Sequence, residues 1–152
     1  MQEEIRFLVD GMLGRCAKWL RFLGYDAVYF TLHDKFFLSY QALNENRMVL
    51  TRDRMFFERH RDICLFVESE RYLEQLVEVK RKAHLRPDPA AFFSRCGECN
   101  VLLVARTPGE AGPLVPPYVR ETQKKFSLCP SCGKIYWQGT HWERMANVLM
   151  RI

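Results

Sequence analysis

No apolar run in this 152-residue chain reaches the roughly 18–20 residues that a membrane-spanning helix requires. The first thirty residues carry Arg, Asp and Lys throughout, which speaks against a secretory leader, so the expected compartment is the cytoplasm. There is no low-complexity tract, and no internal repeat beyond two short Cys-x-x-Cys knuckles. Histidine is scarce: His33, His60, His84 and His141 are the only four, and no two have the spacing of a metal-ligand pair. A Ser-His-Asp constellation, a phosphate-cradling glycine loop and a dinucleotide fingerprint are all missing, which leaves the enzyme classes built on them without support.

The cysteines are what is present. Six in a chain expected to be cytosolic point to metal ligands and core thiols rather than a disulfide framework. Cys96-Gly-Glu-Cys99 and Cys129-Pro-Ser-Cys132 are separated by 29 residues. Four thiolates in two knuckles can close a tetrahedral structural zinc site, and four cysteines leave no open position for water or substrate. The alternatives are two disulfides or free thiols. Gly97 and Gly133 suit the tight turns that aim two sulfurs at one ion. Cys16 and Cys64 lie among apolar residues and read as buried hydrophobes. The net charge of +5 is uneven. Residues 1–89 carry 15 Lys and Arg against 14 Asp and Glu, and residues 90–152 carry 8 against 4. The basic half is thus the zinc-bearing half, which suits a polyanion such as nucleic acid, although a modest excess also serves solubility.

In chain order, short apolar runs at Ile5–Val9, Ala27–Phe30, Met48–Leu50 and Ile63–Val67 read as strands. Between them the periodicity predicts helices over Gly11–Gly24, from an Asp34 cap through Leu43, and from Met55 to about His60. A further helix is predicted after a Ser69 cap, reaching about Ala83. Strand alternates with helix four times, which argues for an α/β layer with a parallel sheet and right-handed crossovers. Arg86-Pro87-Asp88-Pro89 interrupts the pattern as a stiff linker. It divides the chain into an α/β domain at 1–88 and a metal-stapled module at 89–152. In that module Asn100–Arg106 reads as a strand, Thr107–Pro117 as a loop, and Tyr118–Phe126 receives no assignment. Ile135–Gly139 reads as a strand with a turn residue. Thr140-His141-Trp142-Glu143 has the pattern of a capping box that opens a last helix.

In an open parallel sheet, ligands bind beyond the carboxyl ends of the strands. Asp10 ends the first strand, Asp34 follows the second, Asp53 the third, and Glu68 and Glu70 the fourth. Asp34 and Asp53 each have a simpler reading as helix caps, but acid at four consecutive strand ends favours a function. Clustered carboxylates repel one another unless they share a hard cation such as Mg²⁺ or Mn²⁺. Such a site activates water and stabilises charge on a phosphodiester. Arg15, Lys18, Arg52 and Arg54 surround the expected cleft and suit backbone phosphates, with surface ion pairing as the alternative.

Asp10-Gly-Met-Leu-Gly-Arg-Cys-Ala-Lys-Trp-Leu-Arg-Phe-Leu-Gly-Tyr-Asp26 resembles the opening of the Mut7-C family, a branch of the PIN-like nucleases. Thr51-Arg52-Asp53-Arg54 is similar to that family's second signature. The paired knuckles and Gly139-Thr-His-Trp resemble its appended zinc ribbon. The resemblance covers essentially the whole chain. It implies a PIN-like parallel sheet with flanking helices, a small zinc-ribbon module, and metal-dependent RNase activity. Asp10, Asp34 and Asp53 map onto the family's acidic, Mg- or Mn-binding positions, and Glu70 is the choice for the fourth acid over Glu68. Asp26 lies at the start of the second strand, away from the cleft, and reads as structural. RNA is then the expected partner, and a protein partner or an inhibitor of the kind other PIN proteins often have is left open.

Two features stay open between uses. Lys80-Arg81-Lys82 suits either the dipole at a helix C-terminus or a phosphate track. Tyr136, Trp137 and Trp142 either fill the small core of a zinc ribbon or stack on unpaired bases. The competing overall reading is a non-catalytic RNA- or ribonucleoprotein-binding zinc-ribbon module. A protein-binding adaptor is the third.

Overall fold

Phe7, Leu8 and Val9 form β1 and are fully buried. Side chains alternate along a strand, so Phe7 and Val9 join one apolar cluster and Leu8 another. A strand apolar on both faces belongs inside a sheet covered by helices on both sides. In the computed structural model, which describes residues 4–152, β1 pairs in parallel with β2 (Ala27–Tyr29) on one side and β3 (Met48–Thr51) on the other. β4 (Cys64–Phe66) pairs in parallel with β3, and the sheet order is β2-β1-β3-β4.

The helices follow from that order. The chain steps from β1 outward to β2, then crosses back over β1 to β3 and on to β4. Right-handed crossovers in opposite directions place their helices on opposite faces. Accordingly α1 (Gly14–Phe22), which follows a 3-10 turn at Gly11–Leu13, covers the Phe7 face through Cys16, Ala17 and Leu20. Then α2 (Lys35–Glu45) and α3 (Arg54–Arg59) cover the Leu8 face through Leu38, Ala42 and Phe56. α4 (Tyr72–Lys82) returns to the first face and packs Leu76 and Val79 beside α1. Each fully buried Leu contributes roughly 2 kcal/mol.

The second sheet is antiparallel: β5 (Val104–Arg106), β6 (Phe126–Leu128) and β7 (Ile135–Trp137), in that order. Between β5 and β6 lie α5 (Pro108–Ala111), a 3-10 turn at Gly112–Leu114, and α6 (Pro117–Thr122). Its core is small: Ala111, Val115, Val119 and Phe126, with Ile135 and Trp137 packed against them. The last helix, α7 (Thr140–Met150), leaves this core and buries Leu149 in the larger cluster of the first layer. Lys80 Nζ on α4 donates to the Ile152 carbonyl oxygen at 2.6 Å, so one cation of the Lys80–Lys82 run holds the end of the chain. Among the described residues no helix is long and apolar enough to cross a membrane.

Several local expectations are corrected. Ser69 does not cap α4. Arg71 stands at the N-cap without a side-chain bond, and the Ser69 N–H donates instead to Glu78 Oε2 at 3.0 Å. Thr140 is the first residue of α7 rather than its cap, and Gly139 takes the cap position with no side-chain bond. The capping box lies in the stretch read as a loop, where Thr107 and Glu110 bond reciprocally around α5. β5 is shorter than expected because Leu102 pairs only with Arg95, ahead of the strand.

Candidate functional site

The crossover direction reverses between β1 and β3, and the carboxyl ends of those strands open the crevice where ligands settle in such sheets. Asp10 leaves β1 there and is 5 % exposed. Its Oδ1 accepts the Gly11 N–H at 2.8 Å. Its Oδ2 accepts from the Thr51 hydroxyl at 2.8 Å and from Lys35 Nζ at 2.6 Å. Thr51, the last residue of β3, is fully buried, and its Oγ also accepts the Asp53 N–H at 3.0 Å. Asp53 caps α3 through the Phe56 N–H at 3.0 Å, and its Oδ2 lies 3.6 Å from Lys35 Nζ. The Phe56 N–H first, and the Lys35 ammonium after it, outweigh partial burial and hold the Asp53 carboxyl below its usual range.

One cationic atom is thus shared by two carboxylates from neighbouring strands. Asp34 supports this at one remove. It caps α2 through the Phe36 N–H at 2.9 Å, and Lys35 is the first residue of the helix so started. Carboxylate oxygens are the donor type that a hard divalent cation takes. Among the described residues the two acids belong to no group of three or more His, Cys, Asp or Glu ligand atoms lying within 4.8 Å of one another.

The other expected site residues are spread more widely. Asp34 is exposed. Glu70 is exposed and lines a cleft of about 730 Å³ with Met12, Gly14, Arg15 and Tyr72, a lining that includes none of the three aspartates. Arg52 is turned toward the exit of β4, donating to the carbonyls of Val67 at 3.4 Å and Glu68 at 3.2 Å. The Arg54 guanidinium lies over Phe66 at 4.5 Å and that of Arg15 over Tyr72 at 4.1 Å. Lys18 pairs with Glu98 at 2.6 Å, both side chains well exposed. Lys35 and Thr51 were not among the expected site residues. The available signals were a lysine directly after a predicted cap and a threonine opening the Thr51-Arg52-Asp53-Arg54 run. Asp26 is structural, as expected. Arg47 donates to it at 2.7 Å and Asn100 Nδ2 at 2.7 Å, and these bonds overcome burial to keep its carboxyl below the ordinary range.

The four knuckle cysteines do converge. The sulfurs of Cys96, Cys99, Cys129 and Cys132 all lie within 4.8 Å of one another, and they form the one such metal-capable cluster among the described residues. Burial alone would raise the Cys96 thiol, but the Tyr136 hydroxyl at 3.1 Å and the backbone of Cys99 and Glu98 bring it down to about 7. The Lys134 backbone favours a Cys132 thiolate, yet partial desolvation and the three neighbouring sulfurs outweigh it and push that thiol, though exposed, up to about 12. Four thiolates at this spacing need a cation between them, and the set suits tetrahedral zinc. Gly133 has φ +77°, the left-handed turn expected of it. Gly97 serves differently: a Cβ there would come within 2.7 Å of the Phe22 ring, so its small size lets the first knuckle press against α1. Arg21 of α1 fastens the contact, donating to Ala27 O at 2.8 Å, Gly97 O at 2.8 Å and Glu98 O at 3.2 Å. Cys16 is fully buried and Cys64 half-buried; burial, more than the nearby acids, pushes each thiol up to about 12.

A family model described as the Mut7-C RNAse domain matches residues 5–149, nearly the whole chain, and the chain belongs to that family. Comparison with curated proteins and with solved structures returned no significant match.

Proposed function

We propose that this Mut7-C RNAse-domain chain is a metal-dependent ribonuclease that hydrolyses RNA phosphodiesters at the crevice between β1 and β3. The observation that carries the reading is the pair Asp10 and Asp53, which hold a single cationic atom between them at the switch point of the sheet. Asp10 and Asp53 would hold Mg²⁺ or Mn²⁺, and Asp34 on the rim would serve by starting the helix that carries Lys35. When bound, such an ion supplies Lewis-acid activation of water and neutralises charge on the phosphodiester. Thr51 fixes the Asp10 carboxylate by its hydroxyl and the Asp53 backbone by its oxygen, so both ligands keep their angle when the cation changes. Lys35 then turns from the carboxylates to a phosphate oxygen of the substrate. Arg52 and Arg54 flank Asp53 and hold the RNA backbone on that side, while Arg15 and Lys18 hold it along α1. Glu70 stands across from Arg15 as the outer acid.

Division at residues 88 and 89 gives a nuclease layer and a zinc-ribbon module, whose structural zinc sits on Cys96, Cys99, Cys129 and Cys132. The protein works in the cytoplasm, where thiols stay reduced and free to bind metal. The test is cleavage of a mixed single-stranded RNA pool by the zinc-loaded chain with Mn²⁺, Mg²⁺ or EDTA, beside Asp10→Asn and Asp53→Asn. Cleavage that requires the metal and both aspartates supports the proposal. RNA binding without cleavage, unchanged by Mn²⁺, would instead favour a non-catalytic binding module.

A further inference from the structure

Between α1, β7 and the start of α7 runs a groove of about 660 Å³. It shares Arg15 and Lys18 with the proposed backbone track along α1, and its lining includes none of the expected acids. Trp19, Tyr118, Tyr136, Trp137 and Trp142 supply its walls, and the cations along it are Arg15, Lys18 and Lys134. No carboxylate lines it.

The aromatics are not spent on core packing alone. Trp137 does pack against the small ribbon core. Tyr118, however, is 67 % exposed on α6, and Trp142 is only half-buried, tilted against Phe93 at 5.1 Å. The cations are free to meet phosphate as well. Lys134 is exposed and lies over the Tyr136 ring at 5.3 Å. Lys18 is tied to Glu98, but an ion pair this exposed is weak and exchanges readily for another anion. Flat rings flanked by positive charge, with Glu98 the exposed acid that a phosphate would replace on Lys18, fit an unpaired base and its own phosphate.

We infer that this groove is a second RNA contact that holds one or two unpaired nucleotides by stacking, with Lys134 and Lys18 on the adjoining phosphates. It takes from the proposed function only that the ligand is RNA; binding here needs neither Asp10 nor a divalent ion. Base–aromatic stacking tightens binding roughly fivefold to a hundredfold per base, and each phosphate contact adds a salt-dependent increment.

The experiment is fluorescence anisotropy of a labelled eight-nucleotide adenosine RNA with the full zinc-loaded chain, without Mg²⁺ or Mn²⁺. An abasic ribose-phosphate strand of equal length and charge serves as the comparison. The adenosine strand is expected to bind about tenfold tighter than the abasic strand. Tyr118→Ala, at an exposed position, should weaken the adenosine strand about fivefold and leave the abasic strand unchanged. Lys134→Ala, also exposed, should weaken both strands by a similar factor and lower the salt dependence. Equal affinity for the two strands, or wild-type binding by both variants, overturns the inference. Because no cleavage is read, a catalytically silent protein can still pass this test and an active one can fail it.

Discussion

The two sheets of this molecule are held by different physics. Every residue of β1 is sealed from water, and the surrounding clusters on both faces contain large fully buried side chains. β5, by contrast, is exposed or half-buried throughout, and the second sheet rests on a core of four buried residues. At 25 cal/mol per Å² such a core does not offset the conformational entropy of ordering some sixty residues. The first sheet is therefore a product of hydrophobic burial, and the second needs a further staple, which its four clustered cysteines could supply by holding a metal ion. Chemistry is expected where the scaffold is stiff, and the cysteine module serves as a docked attachment.

Removing the metal tests this most severely. Cys129→Ser, or chelation under reducing conditions, should cost the second sheet about 10 kcal/mol, the scale of structural zinc binding. Hydrogen exchange should then show β5, β6 and β7 unprotected while β1 and β3 keep their protection. Simultaneous loss in both sheets would mean that Arg21 and α7 join the two into one cooperative unit.

Arg21 is the direct probe of that joint. Arg21→Ala leaves the carbonyls of Ala27 and Gly97 without their buried donor, and a loss of about 3 kcal/mol in urea unfolding is expected. A loss confined to the second sheet would show that the guanidinium serves docking alone.

A smaller effect belongs to the first layer. Glu78, with a side chain 7 % exposed, accepts the N–H groups of Glu68 and Ser69 and pairs with Lys82 at 2.8 Å. Burial works against its charge, but Lys82 and the two backbone donors prevail and bring its carboxyl from 4.5 down to about 2. A depressed acid stabilises fully above its unfolded pKa, and that contribution disappears as the pH falls from about 4.5 through about 2. Glu78→Gln should accordingly lose about 2 kcal/mol at pH 7, and the difference from the parent should close over that acid window.

How much could be read in advance follows the same division. The four strands of the first sheet and their order of alternation with helices were legible, because apolar runs and periodicity report burial directly. The cysteine spacing announced its own convergence. Less visible was whatever depended on side chains meeting across the fold. Nothing in the spacing singles out Arg21, yet two of its three acceptors lie 76 and 77 residues away. The ends of α4 and α7 were misplaced because Ser69 and Thr140 have capping chemistry but tertiary contacts determined where the helices start. In the crevice, Asp10 and Asp53 were readable from strand ends, whereas Lys35 became visible only when strand order put the start of α2 over β1 and β3.

Lys35 carries the smallest expected effect, and it bears on the stiff half's assignment as the seat of chemistry. Its ammonium is 2.6 Å from Asp10 and 3.6 Å from Asp53, so any divalent cation entering the pair must displace a resident charge. The Lys35 side chain is 42 % exposed, so its attraction is screened and its competition modest. Lys35→Ala should therefore tighten Mn²⁺ binding about tenfold, equivalent to ~1.4 kcal/mol, in a calorimetric or spin-resonance titration of the zinc-loaded chain. If the same variant also cleaves RNA more slowly at saturating Mn²⁺, the lysine acts on substrate phosphate after the metal has taken its place. If Mn²⁺ affinity is unchanged, Asp10 and Asp53 form an ion-paired cap structure instead of a metal site, and the stiff sheet loses its claim to the chemistry.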